Sequence, residues 1–139
     1  MFATVTTQVL SDLNFDFNDT TISSCIFAVK LGDGSAREQA ASCQRFLGGG
    51  ANIAREYATK RYRSNLINWG MLPLIDYKTE YKKGDIVVIE NIRDTLLQGK
   101  SEFNAYLVRG GKKESIVLKI GALTDSEKQI ILDGCLINY

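Results

Sequence analysis

The sequence of 139 residues contains no histidine and a single proline, and its three cysteines are widely spaced. Without an imidazole, the chain cannot build a Ser-His catalytic triad or a histidine-ligated zinc site from its own residues. The cysteines, Cys25, Cys43 and Cys135, include no Cys-x-x-Cys pair, and their odd number does not support a disulfide framework. We therefore predict reduced cysteines that act as small buried hydrophobes, in a cytoplasmic protein.

Long apolar runs and an excess of one charge are also missing. No apolar run approaches the roughly 20 residues that span a bilayer, and residues 1–10 lack the basic and apolar regions of a secretory signal. The 17 basic and 16 acidic residues give a net charge of +1, which predicts neither a nucleic-acid partner nor a membrane partner. With 45% hydrophobic and 24% charged residues, the composition favours one folded domain over residues 1–139.

The first half of the chain alternates between predicted strands and helices. Apolar runs predict a buried strand over residues 22–30 and a short strand over residues 51–54. Helical spacing of apolar residues predicts a helix over residues 36–47, which ends at three consecutive glycines, and a second over residues 58–68. Residues 72–74 are expected to be extended, because a proline disfavours helix in the residue before it.

The second half is rich in predicted strands, at residues 85–90, 102–109 and 115–120, with a hairpin loop at residues 110–112. Thr124 and Glu127 have the spacing of a capping box, which predicts the start of a final helix. A last strand is expected over residues 135–139. Together these patterns predict an α/β first half and a β-rich layer in the second half.

Residues 32–38 combine two glycines, a serine and an arginine between a predicted strand and a predicted helix. Glycine permits positive φ and a close approach of the backbone. The start of a helix leaves N–H groups unpaired, and the helix dipole adds positive potential there, so an anion is well accommodated. Arg37 can bind a carboxylate with two parallel hydrogen bonds, and Ser35 can reach the same ligand.

The same pattern has a purely structural explanation. Gly-x-Gly-Ser before a helix is often a tight turn in which serine caps the helix, which contributes about 1 kcal/mol. The phosphate-binding P-loop pattern is absent, and the third glycine of a dinucleotide-binding fingerprint is missing. Spacing alone leaves the anion site and the capped turn both open.

Residues 32–41, Gly-Asp-Gly-Ser-Ala-Arg-Glu-Gln-Ala-Ala, resemble the Gly-x-Gly-Ser-Ser-Arg-Glu-His-Ala-Ala motif of the aconitase superfamily's swivel domain. Residues 68–74, Asn-Trp-Gly-Met-Leu-Pro-Leu, resemble the same family's Asn-Leu-x-x-x-Gly-Leu-Leu-Pro-Leu segment. The resemblance covers residues 27–139, whereas residues 1–26 do not resemble the family's first segment, which carries another substrate arginine. The resemblance implies an α/β fold, namely a three-layer β/β/α swivel domain. It also implies that the chain is either a C-terminal fragment of a larger hydratase or a short subunit.

Members of this family reversibly dehydrate and hydrate hydroxy polycarboxylic acids, with a [4Fe-4S] cluster as the Lewis acid. The resemblance implies that Ser35 is the base that removes a proton alpha to a carboxylate, and that Arg37 binds a substrate carboxylate. Backbone N–H groups of Gly34 and Ala36 would support both roles. The cluster would be bound by N-terminal domains or a large subunit and not by this chain, which we expect to be inactive alone.

The chain departs from the family motif at Ala36, where the family has a second serine, and at Gln39, where it has a histidine. These departures imply a divergent branch with a different acid substrate, or a loss of activity. Two alternatives therefore stay open: a small subunit like that of isopropylmalate isomerases, and a non-catalytic domain that binds carboxylates. The basic residues Lys60, Arg61 and Arg63 are predicted to form a solvated face or a docking face. Trp69 is predicted to be a core anchor beneath the loop.

Overall fold

The computed structural model describes residue 16 and residues 18–139, and this part of the chain contains six strands and four α-helices. The strands are β1 (Ser24–Leu31), β2 (Gly49–Tyr57), β3 (Leu72–Ile75), β4 (Ile86–Ile89), β5 (Glu102–Arg109) and β6 (Lys112–Ile120). The α-helices are α1 (Arg37–Phe46), α2 (Lys60–Asn68), α3 (Ile92–Leu97) and α4 (Asp125–Leu132), and a 3₁₀ helix spans Leu136–Asn138.

The strands join in one mixed sheet in the order β1-β2-β3-β6-β5-β4. β1, β2 and β3 are parallel, whereas β3 pairs antiparallel with β6, and β6, β5 and β4 follow one another antiparallel. Parallel neighbours need a crossover, which α1 and α2 provide. The carboxyl ends of β1, β2 and β3 therefore lie along one edge of the sheet. The predicted α/β class, with a β-rich second half, is confirmed.

The two faces of β2 contact different layers, because successive side chains of a strand point to opposite sides. Ile53 belongs to the same core cluster as Phe103 of β5 and Leu118 of β6. Asn52, on the other face, contacts Gln44 of α1. α1 thus packs on one face of β2, and the opposite face of β2 belongs to a core that the parallel and antiparallel strands share with residues of the other helices. A mixed six-stranded sheet with four helices is consistent with the swivel domain implied by the resemblance.

A buried polar network joins α1 and α2 to β2. Asn52 is 0% exposed, and its amide forms a reciprocal pair with the amide of Gln44, with N···O distances of 2.5 and 3.0 Å. Asn52 Nδ2 also donates to the hydroxyl of Tyr62 on α2, at 3.3 Å. Ala41, Leu66 and Tyr62 pack in one apolar cluster beside this network. Because every buried amide group is paired, the network stabilises one placement of the two helices on the sheet.

The segment after β3 is held by a buried carboxylate. Asp76 is 5% exposed and accepts hydrogen bonds from the N–H groups of Lys78 and Thr79 and from the hydroxyl of Tyr81, at 2.8, 3.2 and 2.6 Å. Burial of Asp76 opposes its ionisation, but these hydrogen bonds outweigh that cost and hold the pKa of the carboxyl below its usual value.

Three local predictions need correction. β1 is largely exposed and not buried, because among the described strands it lies at the edge of the sheet and pairs with β2 alone. The short helix α3 was not predicted, and its first residue follows Asn91, which has the left-handed φ of +52°. Residues 135–139 form no strand, because Asn138 N–H and Tyr139 N–H bond locally to the carbonyls of Cys135 and Leu136. The capping box of α4 is confirmed, since Thr124 and Glu127 bond reciprocally.

Replacing Asn52 with alanine is expected to destabilise the fold by about 2–3 kcal/mol, because the Gln44 amide loses its partner while it stays buried. Urea unfolding measures the free-energy difference. The double variant Asn52→Leu/Gln44→Leu removes both polar groups and should recover part of that loss. An Asn52→Ala protein as stable as the wild type would contradict the role assigned to the network.

Asp76→Asn is expected to lower the free energy of unfolding by about 1–3 kcal/mol at pH 7. Because the folded-state pKa of Asp76 is lower than that of the unfolded chain, the carboxylate stabilises the fold above about pH 4. This stabilisation disappears as the pH falls through the folded-state pKa, so the variant and the wild type should converge in acid. Asp125→Asn, at a side chain that is 100% exposed, is the control and should show little effect at any of these pH values. Unfolding by urea at pH 7, 5 and 3 checks both variants.

Candidate functional site

The loop between β1 and α1 lies at the carboxyl edge of the parallel strands. Gly32 has φ of +87°, and a Cβ placed there would overlap Cβ and Cγ of Tyr62. Gly32 therefore lets the loop lie directly on α2. Gly34 does not use the left-handed region, and space around it is open, so its lack of a side chain leaves the backbone accessible.

The start of α1 is not capped by a side chain. Ala36 occupies the N-cap position, with φ of −90° and ψ of 50°, and it has no polar side-chain atom. By contrast, Thr59 caps α2 and Thr124 caps α4 through their hydroxyl oxygens. The explanation of the motif as a serine-capped turn is therefore wrong: Ser35 lies one residue before the N-cap. The first N–H groups of α1 are left for another acceptor.

The side chain of Ser35 is exposed and forms no hydrogen bond to any residue that the structure describes. Arg37, two residues later, is half-buried, and its Nε donates to the carbonyl oxygen of Gly34 at 2.5 Å. Across residues 18–139, Arg37 makes no ion pair. The Nε bond fixes the guanidinium against the loop while its terminal nitrogens remain available for an anion.

The two motifs of the sequence are joined by a hydrogen bond that sequence reasoning missed. Trp69, which follows the last residue of α2, donates its indole N–H to Oε1 of Glu38 in the first turn of α1, at 3.0 Å. Trp69 is half-buried and packs against the cluster of α1 and α2. Its predicted role as an anchor is thus supported. The spacing of 31 residues between donor and acceptor carries no local signal for such a contact.

The basic residues of α2 divide into two groups. Arg63 donates to the carbonyls of Gly121 and Ala122 and pairs with Glu127 at 3.4 Å, so it connects α2 to the start of α4. Lys60 and Arg61 are exposed. The prediction of a solvated or docking face therefore fits Lys60 and Arg61 but is wrong for Arg63.

The cysteines were predicted to be buried, and this is wrong for Cys43, which is exposed on the outer side of α1. Cys135 is half-buried. Cys25 lies on β1 and is exposed as a residue, but burial raises the pKa of its thiol to about 11. No group of three cysteine, aspartate or glutamate side chains comes together as a metal site within the described residues. No helix of that part of the chain is long and apolar enough to cross a membrane.

The family model of the aconitase C-terminal domain matches residues 3–80, which is more than half of the chain. The chain belongs to this family. The matched range begins at residue 3. The prediction that residues 1–26 are atypical falls mostly on residues outside the described part of the chain, and it stays a prediction. Ser35, Arg37 and the segment at residues 68–74 all lie within the matched range.

Three curated relatives agree with this assignment. The chain is 34% identical over 109 residues to a methanogen homoaconitase small subunit of Methanocaldococcus jannaschii, an alignment that covers 78% of this chain and 56% of that protein. It is 31% identical over 112 residues to a putative mitochondrial aconitate hydratase of Emericella nidulans, covering 77% of this chain and 14% of the relative. With aconitate hydratase A of Rickettsia bellii it shares 27% identity over 139 residues, covering 95% and 16%. The chain thus spans only part of each relative.

Gly32→Ala is expected to destabilise the domain by at least about 2 kcal/mol, because alanine disfavours positive φ and its Cβ collides with Tyr62. The matched control is Gly34→Ala, where φ is ordinary and the space is open, and we expect a change below about 1 kcal/mol. Urea unfolding of both variants measures the difference. Equal effects at the two glycines would contradict the packing of the loop on α2.

Proposed function

We propose that this domain supplies Ser35 and Arg37 to the active site of a larger hydro-lyase, which reversibly dehydrates and hydrates a hydroxy polycarboxylic acid. The observation that carries the proposal is the start of α1. Among the described residues, an exposed serine, an arginine without an ion pair and a helix N-terminus without a side-chain cap lie there within three residues of one another. The family match and the hydratase names of the relatives support the reaction class.

Ser35 would act as the base. A serine hydroxyl is a weak acid in water, so the alkoxide needs positive potential from its surroundings. The guanidinium of Arg37 and the N–H groups of the first turn of α1 provide that potential. The hydroxyl is exposed and is not engaged by the described residues, so it is free to meet a proton alpha to a carboxylate of the substrate.

Arg37 would bind a substrate carboxylate through its terminal nitrogens, with its Nε already held by Gly34. The backbone N–H groups of Gly34 and Ala36 and the first turn of α1 add further donors for the same anion. Because Ala36 brings no hydroxyl, the substrate contact of the family's second serine is missing, which favours an acid with a different substituent at that place.

The described residues do not fit a [4Fe-4S] cluster, since they bring no three suitable ligands together. We propose that a cluster is held by N-terminal domains or by a large subunit, as expected for a chain that covers 56% of a homoaconitase small subunit and 14–16% of two hydratases. The site loop lies on an open surface, which fits a pocket completed by a partner. A groove of about 520 Å³ on the outer face of β5 and β6 includes no residue of the loop.

Two alternatives differ in what surrounds the domain. The similarity to a homoaconitase small subunit favours a separate small subunit with a large partner, whereas the similarity to two aconitate hydratases favours a domain of one long chain. A non-catalytic domain that binds carboxylates would keep Arg37 but need no base at Ser35. A cytoplasmic location stays a prediction, as does the absence of nucleic-acid and membrane partners.

Ser35→Ala in the assembled protein is expected to lower kcat by about 10²–10⁴-fold with little change in KM, because it removes a base and no binding group. Arg37→Ala should raise KM and lower kcat together, since the carboxylate contact holds the substrate in both states. Steady-state hydration and dehydration with citrate and isopropylmalate measures both effects.

Ser42→Ala on α1 and Arg93→Ala on α3, where the arginine is exposed, are the matched controls for these variants, and both should keep wild-type turnover. A Ser35→Ala protein with unchanged kcat would exclude Ser35 as the base. If the wild-type assembly binds citrate or isopropylmalate but turns over neither, the non-catalytic alternative replaces the proposal.

A further inference from the structure

The hydrogen bond between Trp69 and Glu38 places an ionised side chain of the protein beside the proposed carboxylate site. Glu38 follows Arg37 directly and lies in the first turn of α1, at the positive end of the helix dipole. Its carboxylate oxygen Oε1 accepts the indole N–H of Trp69 at 3.0 Å. A hydrogen bond from a neutral donor to a carboxylate is charge-assisted, so it holds the side chain in one direction.

In α4 the first-turn glutamate is Glu127, at the third helical position, one residue later in its helix than Glu38 is in α1. There Glu127 folds back, and its Oε2 accepts the backbone N–H of the N-cap residue Thr124 at 2.8 Å. The other carboxylate oxygen of Glu127 pairs with the guanidinium of Arg63 at 3.4 Å. A first-turn glutamate of this protein thus occupies both a helix N-terminus and an arginine, which are the two kinds of donor that α1 offers.

At the start of α1 neither kind of donor is occupied by a side chain of the described residues. Ala36 cannot cap the helix, and Glu38 is bound to Trp69 and makes no ion pair with Arg37 within residues 18–139. We propose that Trp69 is a positioning residue that holds the Glu38 carboxylate away from the start of α1, so that a substrate carboxylate meets no internal competitor there. This inference rests on the proposed carboxylate site.

A purely structural role for the same contact is the competing explanation, since the bond also connects α1 to the end of α2. The two explanations differ in what the charge of Glu38 does once the hydrogen bond from Trp69 is removed. If the bond is only a structural contact, its loss has the same effect whether residue 38 is charged or neutral. If the Glu38 carboxylate competes with the substrate, it does so only while it is charged, so neutralising residue 38 should restore substrate binding.

Trp69→Phe keeps an aromatic ring in the cluster and removes the N–H. In the assembled protein we expect this variant to raise KM for citrate or isopropylmalate by about fivefold or more, with kcat within about twofold of the wild type. The double variant Trp69→Phe/Glu38→Gln should return KM to within about twofold of the wild type, because the competing charge is gone. Calorimetric titration of citrate against the same assemblies gives the same comparison without turnover.

An unchanged KM in Trp69→Phe, or a raised KM that Glu38→Gln does not reverse, would overturn the inference. Weakened citrate binding that is restored in the double variant, in an assembly without turnover, would support the inference while the proposed hydro-lyase function fails. Urea unfolding of Trp69→Phe and of the double variant shows whether the free energy of unfolding follows the same pattern as substrate binding. If the double variant restores both stability and KM, the recovery of KM comes from folding, and the inference is overturned.

Discussion

The buried contact between Asn52 and Gln44 fixes where α1 lies on the sheet, and the position of the candidate site follows from it. An amide on the central parallel strand is paired with an amide on the helix, and Tyr62 of α2 closes the network. The ring of Tyr62 is also the surface on which Gly32 lies. One set of buried polar contacts therefore sets both the direction of α1 and the path of the loop that leads into it.

The site occupies a place that the topology makes available. In parallel α/β units the loops at the carboxyl ends of the strands face the helix N-termini, and ligands bind at this edge. β1, β2 and β3 form such a unit, and the antiparallel half continues the same sheet and contributes to the same core cluster. The site residues thus lie on a rigid edge, with a core beneath them that is shared by the two halves of the sheet.

Elements with a strong local signal could be predicted from the sequence. The capping box of α4 is encoded by two residues three positions apart, and the hairpin turn by two adjacent glycines. The spacing of apolar residues within each helix predicts α1 and α2. The exposure of β1 could not be predicted, because an apolar run does not reveal whether a strand lies at an edge. The short helix α3 begins from a left-handed asparagine, which no periodic pattern marks.

Ser35 and Arg37 were identified through a resemblance, whereas spacing alone favoured a capped turn. The structure removes that alternative, since alanine stands at the N-cap. The contact of Trp69 with Glu38 lay beyond sequence reasoning altogether, because only the packing of α1 against α2 brings them together.

An uncapped helix start has a thermodynamic consequence. A capping side chain typically contributes about 1 kcal/mol to a helix, and α1 lacks that contribution. An anion that binds there would accept hydrogen bonds from the first N–H groups of α1, as a capping side chain does. Ligand affinity and the stability of the domain would therefore be linked. The domain gives up some stability in the free state, and the bound ligand would restore it.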